Sequence, residues 1–287
     1  MDFDLSGIFN HKYAALIPYM SCSEAELLHF NEPDTGIFIA ETANVIIRAL
    51  DAGYEIESML VEDKRLDNEA KPVFDKIEEL FGKERLNTLP VYVLTHEEAV
   101  KMTGYNLARG LCAVLRRKKL QSMEEFLADK TKIAILYDVV NPTNVGAIVR
   151  TAAAMGMDGV LFTKNSVNPL TRRASRVSMG TVFQIPWTVM CDNENTEFSG
   201  IELIKQRGFK TLAMALCENS VKPDDELLKN EEKIAVVLGT EGEGLPEEII
   251  EKCDYRVMIP MHHNVDSLNV ATAAGIIFWE IQKNLTK

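Results

Sequence analysis

Apolar positions along this chain fall into short runs of strand length separated by amphipathic stretches of helical period. Ile37–Ala40 is such a run. Thr42–Ala52 follows with Val45, Ile46 and Leu50 on one helical side and Gly53 as a stop. Ser58–Val61 reads as a strand and Glu69–Phe81 as an amphipathic helix ending at Gly82. Val91–Leu94 reads as a strand after Pro90, His96–Met102 as a short helix, and Leu111–Leu115 as a last strand. Strands alternating with helices predict a small α/β domain over residues 1–120. Residues 121–131 read as a linker, with room for a short helix.

From residue 132 to residue 287 the alternation is more regular. Strands are expected at Ile133–Tyr137, Gly159–Phe162, Thr211–Ala215, Ile234–Leu238 and Arg256–Ile259. Helices are expected at Val145–Met155, Leu170–Ser178, Ile201–Arg207, Pro246–Cys253 and Asn269–Gln282. Ile234–Leu238 is almost continuously apolar, as a strand covered on both faces of a parallel sheet must be. Residues 190–200 and 218–233 read as polar surface loops. Neither an internal repeat nor a low-complexity tract interrupts the pattern.

Three loops at expected strand ends carry distinctive residues. In the first, Asn144 can cap the following helix, and Gly146 in its first turn admits a backbone or ligand. Arg150 lies one turn further on the same face, within a helix of small and apolar residues, where a guanidinium must snorkel or meet an anion. The second loop, Gly239-Thr-Glu241-Gly242-Glu243-Gly244-Leu245, matches neither the dinucleotide nor the Walker pattern, and its carboxylates would repel phosphate. It suits a ligand with hydroxyl and amine donors or positive charge, although a tight turn with exposed acids has the same composition. In the third, Ile259-Pro-Met261-His262-His263 leads to Ser267-Leu268-Asn269, where Ser267 or Asn269 can cap the final helix. The adjacent histidines read most simply as a solvent-facing pair.

Composition narrows the function. The chain has 287 residues and a formal charge of −12, which argues against broad nucleic-acid affinity because phosphate neutralisation needs cations. Local clusters stand against that balance: Arg116, Arg117, Lys118 and Lys119 run together, and Arg172, Arg173 and Arg176 form a second group. Either cluster alone reads as a solvated face. The 5 cysteines are scattered without a C-x-x-C pair, so neither a disulfide framework nor a metal site is expected. No apolar run is long enough to span a bilayer, and Met1–Asn10 has no basic segment of a signal peptide, so cytoplasmic residence is expected.

Taken in order, Asn144 to Arg150, Gly239 to Leu245, and Ile259 to Asn269 resemble the motif set of the SpoU/TrmH family of SPOUT RNA methyltransferases. Ser178-Met179-Gly180 and Ile185-Pro186 resemble the stretch between the first two motifs, so the resemblance covers the carboxyl-terminal domain. The amino-terminal domain resembles, less sharply, the family's small RNA substrate-binding domain; Phe38-Ile-Ala-Glu41-Thr42 departs from the usual V-E-G pattern, and His262-His263 from the smaller residues usual there.

The resemblance implies a parallel α/β sheet with a deep trefoil knot, a rare topology. It also implies a homodimer formed through that domain and methyl transfer from S-adenosylmethionine to a ribose 2′-hydroxyl in RNA, ribosomal RNA before transfer RNA. By carry-over, Gly239, Gly244, Ile259, Met261 and Leu268 contact the cofactor. Arg150, Asn144, Glu241, Ser267 and Asn269 form the catalytic set, and Arg116, Arg117, Arg172, Arg173 and Arg176 are the candidates for RNA contacts. Base methylation and a non-catalytic RNA-binding protein of the same fold are the competing readings. A nicotinamide oxidoreductase lacks its fingerprint here.

Overall fold

The computed structural model describes residues 16–20, 22–32, 35–190, 200–217, 219–263 and 265–283. The expectations for Met1–Asn10 and for most of the loop at 190–200 therefore lie outside the described residues. The chain divides into two units, residues 1–119 with Leu170–Arg172, and residues 120–169 with 173–287.

The first unit is built on a four-stranded mixed sheet of β1 (Ile37–Glu41), β2 (Ile56–Glu62), β3 (Val91–Leu94) and β4 (Leu111–Arg116), in the order β1-β4-β2-β3. β4 runs antiparallel to both neighbours, and β2 pairs with β3 in parallel. Its helices are α1 (Glu24–Leu28), α2 (Ala43–Asp51), α3 (Lys71–Thr88) and α4 (His96–Thr103). α2 buries Val45, Ile46, Ala49 and Leu50, the stripe read from the sequence. Gly82 does not end α3. It adopts φ 81°, a conformation open to glycine, and the helix resumes as far as Thr88. Arg85 Nη2 ties the resumed segment to the Ile56 carbonyl at 2.6 Å.

The second unit begins at α5 (Met123–Leu127), inside the segment expected to be a linker. Ser122 and Glu125 cap this helix reciprocally, and Met123, Phe126 and Leu127 enter the unit's main core. A six-stranded parallel sheet follows: β5 (Lys132–Leu136), β6 (Gly159–Thr163), β7 (Trp187–Met190), β8 (Lys210–Met214), β9 (Ile234–Leu238) and β10 (Tyr255–Val257), ordered β10-β8-β9-β5-β6-β7. Its helices are α6 (Pro142–Ala154), α7 (Arg172–Val177), α8 (Gly200–Gln206), α9 (Glu226–Lys229), α10 (Glu247–Lys252) and α11 (Val270–Lys283). The central strands β5 and β9 are buried along their whole length, as continuous apolar character requires.

Helix α1, strand β7 and helix α9 have no counterpart among the expected elements. β7 has only four residues; Trp187 in it meets Phe162 edge to face at 5.8 Å. Within the expected loop at 218–233, Val221 pairs in parallel with Val257 and so covers the open edge of β10, while Asp225 caps the short α9.

Strand order reverses at β5, whose neighbours are β6 on one side and β9 on the other. In open parallel sheets the crevice at the carboxyl ends of the strands beside such a reversal is where ligands bind. The loops after β5, β9 and β10 carry the three motifs. At the opposite end, Lys132 Nζ donates to Gln282 Oε1 at 2.9 Å and Gln282 Nε2 to the Gly156 carbonyl at 2.9 Å, so α11 is tied down at its far end.

Candidate active site

The loop after β5 turns through Asp138, a non-glycine residue at φ 53° held by Thr163, whose Oγ1 lies 2.7 Å from Asp138 Oδ1. Asn141, not Asn144, then caps α6: its Oδ1 accepts from Thr143 N at 2.9 Å, with Pro142 in the first turn. Asn144 therefore stands inside the helix and is buried. Its Oδ1 accepts a hydrogen bond from Asn269 Nδ2 at 3.1 Å, and its Nδ2 is buried without an acceptor among the described residues. Gly146 is a packing glycine. A β-carbon there would stand 2.5 Å from the Ala174 carbonyl oxygen and 2.8 Å from Val177 Cβ, so α7 crosses α6 at this point. Arg150 is exposed and makes no hydrogen bond or ion pair among the described residues.

The loop after β9 is closed on itself. Thr240 bridges to Gly244, whose N–H donates to the Thr240 carbonyl at 3.2 Å, and Gly242 and Gly244 take φ 94° and 72°. A β-carbon on Gly239 would lie 2.5 Å from the Gly244 carbonyl group. The tight turn swings Glu241 toward the third loop, where its Oε1 accepts from Asn269 Nδ2 at 2.6 Å.

In the third loop Asn269 does two jobs. Its Oδ1 accepts from Ala271 N at 3.0 Å and Thr272 N at 3.4 Å, capping α11. Its amide nitrogen bridges Asn144 and Glu241. One side chain thus joins the three motifs.

A cavity of about 560 Å³ opens beside this junction, within the range of small-ligand sites. Gly239, Gly244, Ile259, Met261 and Leu268, the five residues expected against a cofactor, line it, as do Glu241, Ser267 and Asn269. Asn144 and Arg150 are not in its wall. Met214, Ala215 and Leu216, at the end of β8, are in the wall and were not foreseen. They carry no polar signature, and only the sheet order, which sets β8 beside β9, brings them there.

The basic clusters are largely engaged. Arg116 donates twice to Glu57 Oε1, at 3.0 and 2.8 Å. Arg117 is buried, with its Nε on the Ile37 carbonyl at 2.9 Å; burial pushes its pKa down to about 10. This placement corrects the expectation that it meets a phosphate. Lys118 Nζ donates to the Ala52 carbonyl at 2.6 Å. Arg172 is half-buried in the first unit, its guanidinium 4.3 Å from the Tyr105 ring centroid and its backbone N–H on Glu24. Arg176 is half-buried with partners inside the fold. Arg173 is exposed, and its Nε on Thr143 Oγ1 at 2.8 Å holds it beside the start of α6.

Among the described residues no cluster of histidine, cysteine and carboxylate side chains could hold a metal ion, and no helix is long and apolar enough to cross a membrane. Cys22, Cys112, Cys217 and Cys253 are free thiols.

A parallel α/β unit with a cavity at the carboxyl ends of β8, β9 and β10, walled by a glycine–carboxylate turn and a capped helix start, is the architecture of a protein that binds a small ligand. Residues 131–279 match the SpoU rRNA methylase family model. An uncharacterized tRNA/rRNA methyltransferase of Mycobacterium bovis is 37% identical over 192 residues, 67% of this chain and 65% of that protein. The chain belongs to the SpoU rRNA methylase family. The alignment leaves about a third of the relative's length unmatched. Its fold is that of the AdoMet-bound rRNA methyltransferase from Sinorhizobium meliloti (TM-score 0.71, 22% identity, 97% of each chain). A crystal structure described as an RNA 2′-O ribose methyltransferase is similar in the same way (TM-score 0.67, 23% identity, 96% of each chain).

Proposed function

We propose that this protein transfers the methyl group of S-adenosylmethionine to a ribose 2′-hydroxyl in RNA, with ribosomal RNA as the substrate. The junction of Asn144, Glu241 and Asn269 beside the cavity carries the reading.

The cavity suits the cofactor chemically. Glycine backbone at Gly239 and Gly244 allows close approach, Ile259, Met261 and Leu268 offer apolar surface, and Glu241, Glu243 and Asp266 face the same space with negative charge. Carboxylates favour a cation and the hydroxyl donors of a ribose. The bound cofactor supplies a methyl group on a positively charged sulfur, already activated for in-line displacement.

The protein's own residues position the acceptor. Holding reactants in attack geometry supplies roughly 7–11 kcal/mol in favourable model systems. Asn144, buried and outside the cavity wall, accepts from Asn269 through its Oδ1 and so positions the first and third loops against each other. Arg150, exposed and without a partner among the described residues, grips a phosphate beside the target ribose. A guanidinium stays protonated at neutral pH, so the acceptor's proton leaves by way of a phosphate oxygen or the Ser267 hydroxyl. Arg173, with Arg176, guides the RNA backbone, and single-stranded or looped RNA is favoured because a duplex limits access to one ribose. The same reading includes a knotted carboxyl-terminal segment, cytoplasmic residence and a homodimer formed through the second unit. Trp279, exposed on α11, is the kind of side chain such an interface covers.

The test is methyl transfer from labelled S-adenosylmethionine to ribosomal and transfer RNA transcripts, followed by nucleoside mass mapping. A 2′-O-methyl nucleoside in ribosomal RNA is expected. A methylated base would overturn the ribose assignment, label in transfer RNA alone the substrate, and RNA binding without transfer the enzymatic reading.

A further inference from the structure

The wall of the cavity is electrically one-sided. Glu241, Glu243 and Asp266 line it, and among the described residues no lysine, arginine or histidine does. None of these carboxylates makes an ion pair among the described residues, and the partner of Glu241 is the neutral amide of Asn269. The closed turn after β9 carries both glutamates: Gly242 stands between them at φ 94°, and Thr240 bridges to Gly244. Asp266 comes from the separate loop after β10. Elsewhere the wall is apolar and buried, at Leu238, Leu245, Val257 and Val270. A cleft lined by one sign of charge with low-dielectric walls focuses its field on whatever occupies it. Like charges without a counterion also repel one another, a cost that a cationic occupant relieves and a neutral one does not.

We infer that Glu243 and Asp266 make the cavity discriminate by charge between S-adenosylmethionine and the S-adenosylhomocysteine left after transfer, so that the reaction itself loosens the spent cofactor; this rests on reading the cavity as the cofactor site of an RNA methyltransferase. The two ligands differ by one methyl group and one positive charge. In transfer the carbon–sulfur bond breaks with its electron pair returning to sulfur, a carbon–oxygen bond forms at the ribose, and the hydroxyl proton passes on to solvent. The sulfonium becomes a neutral thioether, and the attraction of the wall for it is lost. Glu241 is held to Asn269 and joins the loops. Glu243 and Asp266 have no such partner among the described residues, so their charge acts on the occupant. Both are exposed and screened by water, which sets the discrimination at about tenfold.

Calorimetry on the full chain tests this with ligands that share one skeleton: S-adenosylmethionine, S-adenosylhomocysteine and sinefungin, whose ammonium-bearing carbon stands where the sulfonium does. In low salt the wild type should bind S-adenosylmethionine and sinefungin roughly 5- to 30-fold more tightly than S-adenosylhomocysteine. Near about 0.5 M salt, where screening is strong, the gap should close to within about threefold. Glu243→Gln and Asp266→Asn should each weaken the two charged ligands by roughly 2- to 5-fold and leave S-adenosylhomocysteine unchanged. The double variant should bind all of them alike. S-adenosylhomocysteine bound as tightly as S-adenosylmethionine by the wild type overturns the inference, with no variant needed. So does sinefungin grouping with S-adenosylhomocysteine, because contacts to the methyl group would then discriminate, and so does a preference that the double variant retains. Those results leave the methyltransferase reading standing; a wild type that binds none of the ligands removes both.

Discussion

Asn269 Nδ2 lies 2.6 Å from Glu241 Oε1 and 3.1 Å from Asn144 Oδ1, so a single amide group donates to acceptors from loops more than a hundred residues apart in one case and 28 in the other. The same side chain's oxygen caps α11. Replacing Asn269 by aspartate keeps the capping oxygen and sets a second oxygen against the Glu241 carboxylate. Two carboxylates so close favour sharing one proton, which raises the pair's upper pKa above its unfolded value. The sign follows: the contribution is present at low pH and lost as pH rises. N269D should bind S-adenosylmethionine at least 10-fold more weakly than wild type at pH 7.5 and recover as pH falls toward 5, by roughly the 1.4 kcal/mol per tenfold of the affinity scale. N269A, which also loses the cap, should lose about 1 kcal/mol of stability at every pH. Calorimetry across pH checks both, and a pH-independent N269D would show that the bridge is dispensable.

The two close-contact glycines should fail differently. A β-carbon on Gly146 meets the Ala174 carbonyl at 2.5 Å and pushes α7 from α6, so Gly146→Ala should cost about 1–3 kcal/mol in urea unfolding. One on Gly239 meets the Gly244 carbonyl at 2.5 Å and opens the turn that walls the cavity. Gly239→Ala should therefore weaken cofactor binding more than tenfold with a smaller change in stability. The reverse pattern would mean that the glycine turn is packing and no more.

The convergence of the motifs was legible because each loop carried residues unsuited to a plain turn: a guanidinium in an alanine-rich helix, carboxylates among glycines, a capping pair before a narrow helix. What the pattern left open was which asparagine caps α6. Asn141 and Asn144 both qualify by type, and Pro142 is the signal that decides, since proline belongs in the first turn. Gly82 read as a stop because period and glycine agreed, but a tertiary hydrogen bond from Arg85 holds the helix beyond it. β7 is too short to show alternation, and Val221 becomes strand-like only through its partner Val257. The basic tetrad shows a general limit: sequence counts charges and not their partners, and Arg116, Arg117 and Lys118 bond to Glu57, Ile37 and Ala52 within the first unit.

Arg150 gives a clean separation of chemistry from stability. Being exposed and without a partner among the described residues, it should be replaceable by alanine with a change in unfolding free energy within about 0.5 kcal/mol. Methyl transfer should be abolished while the affinity for S-adenosylmethionine stays within about twofold. Activity equal to wild type in R150A would remove it from the mechanism.

Arg173 and Arg117 should exchange the roles that composition alone would give them. Arg173→Ala should lower RNA affinity and reduce the salt slope by about one counterion, with stability unchanged. Arg117→Ala removes a buried guanidinium from the Ile37 carbonyl and from the ring of Phe38, 5.9 Å from its centroid, and should destabilise the protein by about 1–3 kcal/mol. Filter binding at several salt concentrations, with urea unfolding of the same samples, separates the two. An R117A variant as stable as wild type but weak in RNA binding would return the tetrad to the interface.

Two buried thiols set the alkaline limit of the fold. Burial pushes the Cys253 thiol up to about 11, and burial, with the nearby Glu41 carboxylate, drives Cys112 further in the same direction. An unfolded thiol titrates near 8.5, so between there and the folded value the native state holds more protons than the unfolded chain. Stability is then fully present below about pH 8.5 and falls as pH rises, by up to about 1.4 kcal/mol per pH unit for each thiol that stays protonated. Under reducing conditions, urea midpoints should be level from pH 7 to 8.5 and decline by pH 9.5. Cys112→Ala should start lower at pH 7 through lost packing and fall less steeply. Parallel declines in the variant and the wild type would assign the alkaline loss to other groups.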